Sequence, residues 1–221
     1  AEVYLLKKDT VKAVASLEKS ISVDAYDGTT WGMKAAVHLG RSEWKNAEEA
    51  LDKAIHLKPK HAGYHINRAL AKVNQQNLRG AMEDYDTALD FEPNNFLGHY
   101  NRGVLRSLVG DDNRAIEDFD FVIKIEPDNM MALFNRAILL QNTGDIRKAI
   151  ADYSKVIEHY PDFWTGLHKR AECYRMLGMN KEAELDEFRV YKAQMDKRYG
   201  SVTKKRDNKT RKRSDDADMD K

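Results

Sequence analysis

Residues 96–129 read FLGHYNRGVLRSLVGDDNRAIEDFDFVIKIEPDN, and this stretch decides the fold because its landmarks return every 34 residues. The clearest landmark is proline. It occurs only four times in the 221 residues, at Pro59, Pro93, Pro127 and Pro161, and consecutive prolines are 34 residues apart. A fixed period of this length is typical of repeat proteins, in which each repeat is one supersecondary unit.

Small residues recur at two other points of the period. With proline at position 32 of each repeat, position 8 holds alanine or glycine and position 20 holds alanine, as in Gly103 and Ala115. Small side chains let two antiparallel helices approach closely, so each repeat is predicted to be a hairpin of helix A, a turn and helix B. Glycine at position 15 marks the turn in three repeats, and proline stops helix B. These glycines are Gly110, Gly144 and Gly178.

The combined pattern resembles the tetratricopeptide repeat. It has a 34-residue period, Trp31 at position 4, glycine at positions 8 and 15, Tyr174 at position 11, alanine at position 20 and proline at position 32. The resemblance covers about residues 1–197 and implies an all-α fold, an α-solenoid in which antiparallel helix pairs form a right-handed superhelix. The predicted segments are a partial repeat with a truncated helix A (1–27), repeats 28–61, 62–95, 96–129 and 130–163, a repeat with an extended capping helix (164–199), and a charged tail (200–221).

The first repeat is predicted to be incomplete. Ala13 and Leu17 stand 34 residues before Ala47 and Leu51, so residue 1 falls inside a helix A. Because a repeat of this kind cannot bury its faces alone, we expect further repeats to precede Ala1. The truncated N-terminal end is also an expected route to self-association.

Composition and motifs point away from catalysis and from the membrane. Lys and Arg (37) nearly cancel Asp and Glu (36), and no apolar run approaches the roughly 20 residues of a membrane helix. The sequence has no glycine-rich phosphate loop, no GxSxG, no metalloprotease motif and no CxxC pair. His61 and His65 are four residues apart but lack an evident third ligand. We therefore expect no enzyme activity, no cofactor and no metal.

Arginine fills position 7 in four repeats. Arg68, Arg102 and Arg136 are each followed sixteen residues later by an aspartate, namely Asp84, Asp118 and Asp152. For the fourth arginine, Arg170, Glu187 is the expected carboxylate. We expect each guanidinium to pair with its carboxylate, within a repeat or between neighbours, since planar two-point geometry suits a partly buried pair. Anion binding is the alternative.

Position 6 is the predicted functional column. It holds Asn67, Asn101 and Asn135, followed by Lys169 in the last repeat. The family resemblance implies that this position of helix A faces a concave groove. Each amide offers two donors and an acceptor, which match the backbone of an extended peptide. Neighbouring apolar residues would form pockets: Ile66, Tyr100, Phe134, Leu70, Val104 and Ile138.

The predicted function is therefore a non-catalytic scaffold for protein–protein interaction, with an extended peptide or a partner helix bound in the concave groove. The groove has an alternative interpretation, in which its apolar residues simply pack between adjacent A helices. The function also has an alternative, a regulatory or substrate-presenting segment of a larger enzymatic protein. The regular Asn-Arg-Gly/Ala repeats resemble long bacterial arrays, some of them in cell-envelope proteins, which implies an envelope or periplasmic location, with the cytoplasm as the alternative.

The charged tail carries seven basic residues between Lys204 and Arg213 but no aromatic side chain among them. Stacking on nucleic-acid bases is therefore not expected, and no specific nucleic-acid partner is predicted. The tail is predicted to be disordered, or at most marginally helical, and solvated. Nonspecific contact to a polyanion or to a membrane surface is the alternative.

Overall fold

The computed structural model describes residues 10–195, and every regular element in that range is an α-helix. The predicted charged tail and the truncated helix A of the first repeat lie outside the described residues. The helices are α1 (Thr10–Val23), α2 (Gly28–Gly40), α3 (Trp44–Leu57), α4 (Ala62–Asn74), α5 (Leu78–Phe91), α6 (Phe96–Leu108), α7 (Asp112–Ile125), α8 (Met130–Asn142), α9 (Ile146–His159), α10 (Trp164–Met176) and α11, whose described part covers 180–195.

The chain divides into two compact units, Ala1–Asn129 and Met130–Lys221. In the first unit, α2 packs on α3, α4 on α5 and α6 on α7, which are the helical hairpins that the period predicts. The A helices also touch one another, because α4 contacts both α2 and α6. In the second unit α8 packs on α9, and α10 contacts both of them. Each unit thus places its A helices side by side.

Small side chains line the seams between the paired helices, as the sequence indicates. The position-20 alanines are fully buried: Ala47, Ala81, Ala115, Ala149 and Ala183. At Gly103 an added Cβ would lie 3.2 Å from both the Asp118 side chain and the Phe119 ring, so even alanine would require these neighbours to shift slightly. The large side chains of Tyr85, Phe119 and Tyr153 are buried at the centre of the successive hairpins.

In each of the five turns between helices A and B, the residue at position 15 adopts the left-handed conformation. Gly110, Gly144 and Gly178 have φ values of +82°, +92° and +72°. The two repeats without glycine reach the same region with Ser42 (φ +58°) and Gln76 (φ +63°). A side chain at such an angle costs conformational energy, so tertiary packing outweighs local preference at these two turns.

Side chains cap several of the helices that follow the turns. Asp27 accepts hydrogen bonds from the backbone N–H groups of Thr29 and Thr30 at the start of α2. Asn95 follows Pro93 by two residues and accepts from the N–H of Gly98 at 2.9 Å. None of the helices in the described range is both long and apolar enough to cross a bilayer.

Candidate functional site

Two of the predicted asparagines lie on touching helices of the first unit. Asn67 is on α4 and Asn101 is on α6, and both side chains are half-buried. Neither amide has a hydrogen-bond partner within residues 10–195. Each amide therefore keeps two donors and one acceptor for a ligand.

Exposed apolar side chains flank these amides. Leu70 follows Asn67 by three residues and Val104 follows Asn101 by three, so each lies on the same helix face as its asparagine. Their exposed fractions are 38% and 42%. Tyr100 is half-buried and packs edge-on against Phe119, with ring centroids 5.8 Å apart. The face shared by α4 and α6 thus combines free amides with accessible apolar surface.

The expectation for Ile66 is wrong. Its side chain is only 2% exposed and belongs to a core cluster with Tyr85 of α5 and Leu105 of α6. Ile66 is short enough to fit entirely between the three helices, whereas the longer ring of Tyr100 at the equivalent position stays half-buried. Ile66 therefore stabilises the helix packing and offers no surface to a ligand.

The second unit carries the remaining predicted residues. Asn135 and Ile138 are half-buried on α8, and Asn135 already takes part in an interaction within the chain. Phe134 packs against the rings of Tyr153 and Phe163, with centroid distances of 5.8 Å and 5.0 Å. On α10, Lys169 Nζ lies 2.9 Å from Glu172 Oε2. At position 6 the second unit therefore has side chains that already interact within the chain, unlike the unpaired amides of Asn67 and Asn101.

The position-7 arginines form the predicted pairs. Arg68 donates from Nε and Nη2 to the two carboxylate oxygens of Asp84, at 2.9 Å and 2.6 Å. The third nitrogen, Nη1, donates to Asp52 of the preceding repeat at 2.8 Å. Arg102 repeats this arrangement with Asp118 and Asp86, and Arg136 donates twice to Asp152 at 2.8 Å. The prediction of a guanidinium–carboxylate pair in each repeat is confirmed for these three.

The fourth pair corrects the sequence-based expectation. Arg170 donates to both oxygens of Asp186 at 2.7 Å, and Glu187 instead pairs with Arg175. Asp186 lies 34 residues after Asp152, so the periodicity points to it, and the expected residue was one position too late. Neighbouring residues on a helix point about 100° apart, so Glu187 faces away from Arg170.

The charges of the position-7 arginines and their aspartates indicate that these pairs stabilise the fold. Burial alone would raise the pKa of Asp84, but the nearby His65, whose Nδ1 lies 3.9 Å away, and the ion pairs with Arg68 and Lys72 outweigh burial and hold this pKa well below its usual range. The bond to Asp84 likewise raises the pKa of Arg68. Both groups are therefore charged at neutral pH. Because both edges of the Arg68 and Arg102 guanidinium groups already meet carboxylates, the anion-binding alternative has no support at these arginines.

Two histidines add an anchor that the sequence interpretation missed. His65 and His99 each follow a proline by six residues, and their Nε2 atoms lie 2.8 Å and 2.9 Å from the carbonyl oxygens of Pro59 and Pro93. Each ring thus ties the start of a helix A to the turn before it. The signal in the sequence was the constant spacing between proline and histidine.

Successive helical hairpins, small residues in the seams and a guanidinium–carboxylate pair in four of the repeats define an α-solenoid. Family models for the tetratricopeptide repeat match residues 33–105 and 131–163. The chain is a tetratricopeptide repeat protein. Proteins of this family act as scaffolds for protein–protein interaction and are generally non-catalytic.

Several solved structures share the fold. YrrB, described as a tetratricopeptide repeat protein with an unusual peptide-binding site, is 18% identical with a TM-score of 0.74, covering 86% of this chain and 97% of YrrB. PilW, described as a widely conserved type IV pilus biogenesis factor, is 19% identical with a TM-score of 0.71, covering 90% of each chain. A tetratricopeptide repeat protein from Parabacteroides merdae is 22% identical with a TM-score of 0.70, covering 86% of this chain and 76% of that one. No curated protein sequence matches this chain.

Proposed function

We propose that the chain binds an extended peptide segment of a partner protein across α4 and α6. The observation that carries this proposal is the pair of half-buried amides, Asn67 and Asn101, that have no hydrogen-bond partner in the described part of the chain. No amide atom of either residue is both fully buried and unpaired, so the two amides are accessible. A peptide backbone supplies both the donors and the acceptors that such an amide can bind.

The spacing of the A helices suits an extended ligand. Packed helices lie about 8–10 Å apart, which is close to the length of three residues of an extended chain at about 3.3 Å each. Asn67 and Asn101 would then hold the ligand backbone at two positions that lie three residues apart. Leu70 and Val104, beside the amides, would contact uncharged apolar side chains of the ligand.

The same helix face in the second unit is proposed as a separate contact surface. It presents Ile138 and Asn135 on α8 and Lys169 on α10. Phe134, next to Asn135, packs against the ring of Phe163. Lys169 and Glu172 form an ion pair there, so this surface suits a more polar stretch of ligand. YrrB, which shares the fold, is described as having a peptide-binding site, and this supports a peptide as the ligand class.

The test begins with the selection of ligands from a displayed library of random peptides on the full chain. Affinities of the selected peptides are then measured for the parent and for an Asn67→Ala, Asn101→Ala variant. Each amide would lose hydrogen bonds worth about 0.5–1.5 kcal/mol apiece, so we expect binding to weaken roughly 10- to 100-fold. Replacing single backbone N–H groups of the peptide by N-methyl should weaken binding at two positions that lie three residues apart.

The matched control is Asn113→Ala, which removes an exposed asparagine from helix B of the same unit. It should leave the affinity unchanged. Equal affinity of the parent and the double variant, with circular dichroism showing the helices intact, would reject the proposal.

A further inference from the structure

The last helix, α11, has one face on the protein and an apolar face that nothing in the described residues covers. Ala183 and Asp186 are buried against α10, whereas Leu185, Phe188 and Tyr191 on the opposite face are 64%, 61% and 56% exposed. These three side chains recur every third residue, so they form one stripe along the helix. Exposed apolar stripes of this size typically mark an interface.

The equivalent positions of the earlier B helices show that this stripe is a departure from the repeat pattern. The residues in register with Leu185 and Phe188 are Glu83 and Asp86 in α5, both exposed, and Asp86 accepts a hydrogen bond from Arg102 of the next repeat. At these two positions α11 carries large apolar side chains, where α5 has carboxylates and α9 has the small residues Ala151 and Ser154. A terminal repeat that faced water would need a polar outer face instead.

The third position of the stripe supports the same conclusion. Tyr191 is in register with Leu89 of α5 and Ile157 of α9, which are both buried by the helix A that follows them. An added Cβ at Gly98 would meet Leu89 at 2.9 Å, and one at Gly166 would meet Ile157 at 3.4 Å. Among the described residues no helix A follows α11 and covers Tyr191, so an apolar surface that could contact another helix stays exposed.

We propose that this face pairs with α11 of a second copy of the chain, as an antiparallel two-fold dimer. With the two-fold axis at Phe188, each residue faces the one equally far on the other side of position 188. Leu185 would then contact the second copy's Tyr191, and Phe188 would contact its own equivalent. Such self-complementarity is the requirement for a closed symmetric dimer.

Charge complementarity favours a second copy over other occupants. The same axis places Glu184 opposite Lys192 of the second copy, twice by symmetry, and both side chains are exposed. The antiparallel pairing thus places charged pairs beside the apolar contacts, as the charged positions flank the apolar seam in a coiled coil. The sequence from 196 to 221 suits the face poorly, because it is dominated by charge. This dimer lies at the opposite end of the chain from the N-terminal route to self-association that the sequence suggests.

The first test is sedimentation equilibrium of the full chain over about 1–300 µM. A contact limited to one helix from each copy is small, so we expect a reversible dimer with a Kd of about micromolar or weaker. The Leu185→Glu, Phe188→Asp variant restores the residue types of Glu83 and Asp86, and it should be monomeric throughout. Val23→Glu is the control, since Val23 is also highly exposed but lies in α1. It should dimerise as the parent does.

A charge-reversal series tests the antiparallel register. Glu184→Lys and Lys192→Glu should each weaken the dimer at least several-fold, and the combination should restore it. A Phe188→Cys variant should form a disulfide-linked dimer under mild oxidation, because the two cysteines would meet on the axis. The native Cys173 will not compete, since it is fully buried and burial raises the pKa of its thiol to about 11. A chain that is monomeric at every concentration, or a dimer that survives Leu185→Glu, Phe188→Asp with unchanged helicity, would overturn the proposal.

Discussion

At the scale of the residue, the turn position shows how the repeat forces one conformation on different side chains. Glycine occupies this position three times, yet Gln76 adopts the same left-handed conformation with a φ of +63°. Its side chain is exposed and has no hydrogen-bond partner among the described residues. The energy that Gln76 costs is therefore not recovered by any contact that its side chain makes.

The variant Gln76→Gly should accordingly stabilise the protein. Relief of the left-handed strain is worth about 1–2 kcal/mol, and the greater chain entropy of glycine takes back about 0.5–1 kcal/mol. We expect a net gain of about 0.5–1 kcal/mol in the free energy of unfolding, measured by urea denaturation. Gln75→Gly is the control. Gln75 has a φ of −91°, so the same change at this residue should destabilise the protein. A shift of the same sign in both variants would contradict this explanation.

Individual residues also show where sequence reasoning works and where it fails. The period placed Arg68 and Asp84 in register, and their pairing followed from the chemistry of the two groups. The partner of Arg170 was predicted one residue too late, because Glu187 was chosen over Asp186. The burial of Ile66 could not be read from its own repeat, since it depends on Leu105 of the following helix A. Register is a property of the sequence, but burial depends on the neighbouring helices.

At the scale of the element, Arg68, Arg102 and Arg170 each connect three helices. Arg68 lies on α4 and binds Asp84 of its own helix B, α5, and Asp52 of the preceding helix B, α3. Lys72, one turn further along α4, binds the same Asp84 carboxylate at 2.8 Å. The periodic seam of small residues brings the helices together, and this buried carboxylate then fixes how they sit along one another.

The variant Asp84→Asn tests this function of the carboxylate. Removing one partner from a buried ion pair leaves charge uncompensated, so we expect a loss of about 2–4 kcal/mol in the free energy of unfolding at pH 7. The control is Asp86→Asn on the same helix, whose exposed pair with Arg102 should contribute less than about 1 kcal/mol.

The effect should depend on pH in a definite direction. The pKa of Asp84 is lower in the folded protein than its value of about 3.9 in the unfolded chain. The ionised Asp84 therefore makes its full contribution to the free energy of unfolding above about pH 5. This contribution decreases as pH falls below about 4, because there the Asp84 carboxylate is protonated in the unfolded chain but not in the folded protein. Urea melts at pH 7, 5 and 3 should show the gap between the parent and Asp84→Asn narrowing at pH 3. A gap of constant size would show that the carboxylate charge is not the cause.

At the scale of the whole molecule, stability should be distributed over the repeats. In a solenoid each repeat contacts only its neighbours, so stability is approximately a sum of local terms. The two compact units each have a buried tyrosine at the centre of one hairpin, Tyr85 in the first unit and Tyr153 in the second. The period made these two positions recognisable as core from the sequence alone, but it did not show that the chain divides after Asn129.

The variants Tyr85→Ala and Tyr153→Ala test whether damage stays within a unit. Each removes a fully packed aromatic side chain, which should cost about 3–5 kcal/mol. Tyr85 packs in a core cluster of the first unit, and Tyr153 contacts Phe134 and Gln141 of the second. Hydrogen–deuterium exchange with mass spectrometry should therefore show Tyr153→Ala losing amide protection in α8–α11, while α2–α7 keep it. Tyr85→Ala should give the mirror result, and each variant serves as the control for the other. Equal loss of protection along the whole chain in both variants would show instead that the array unfolds as one cooperative body, with stability set by coupling between repeats rather than within them.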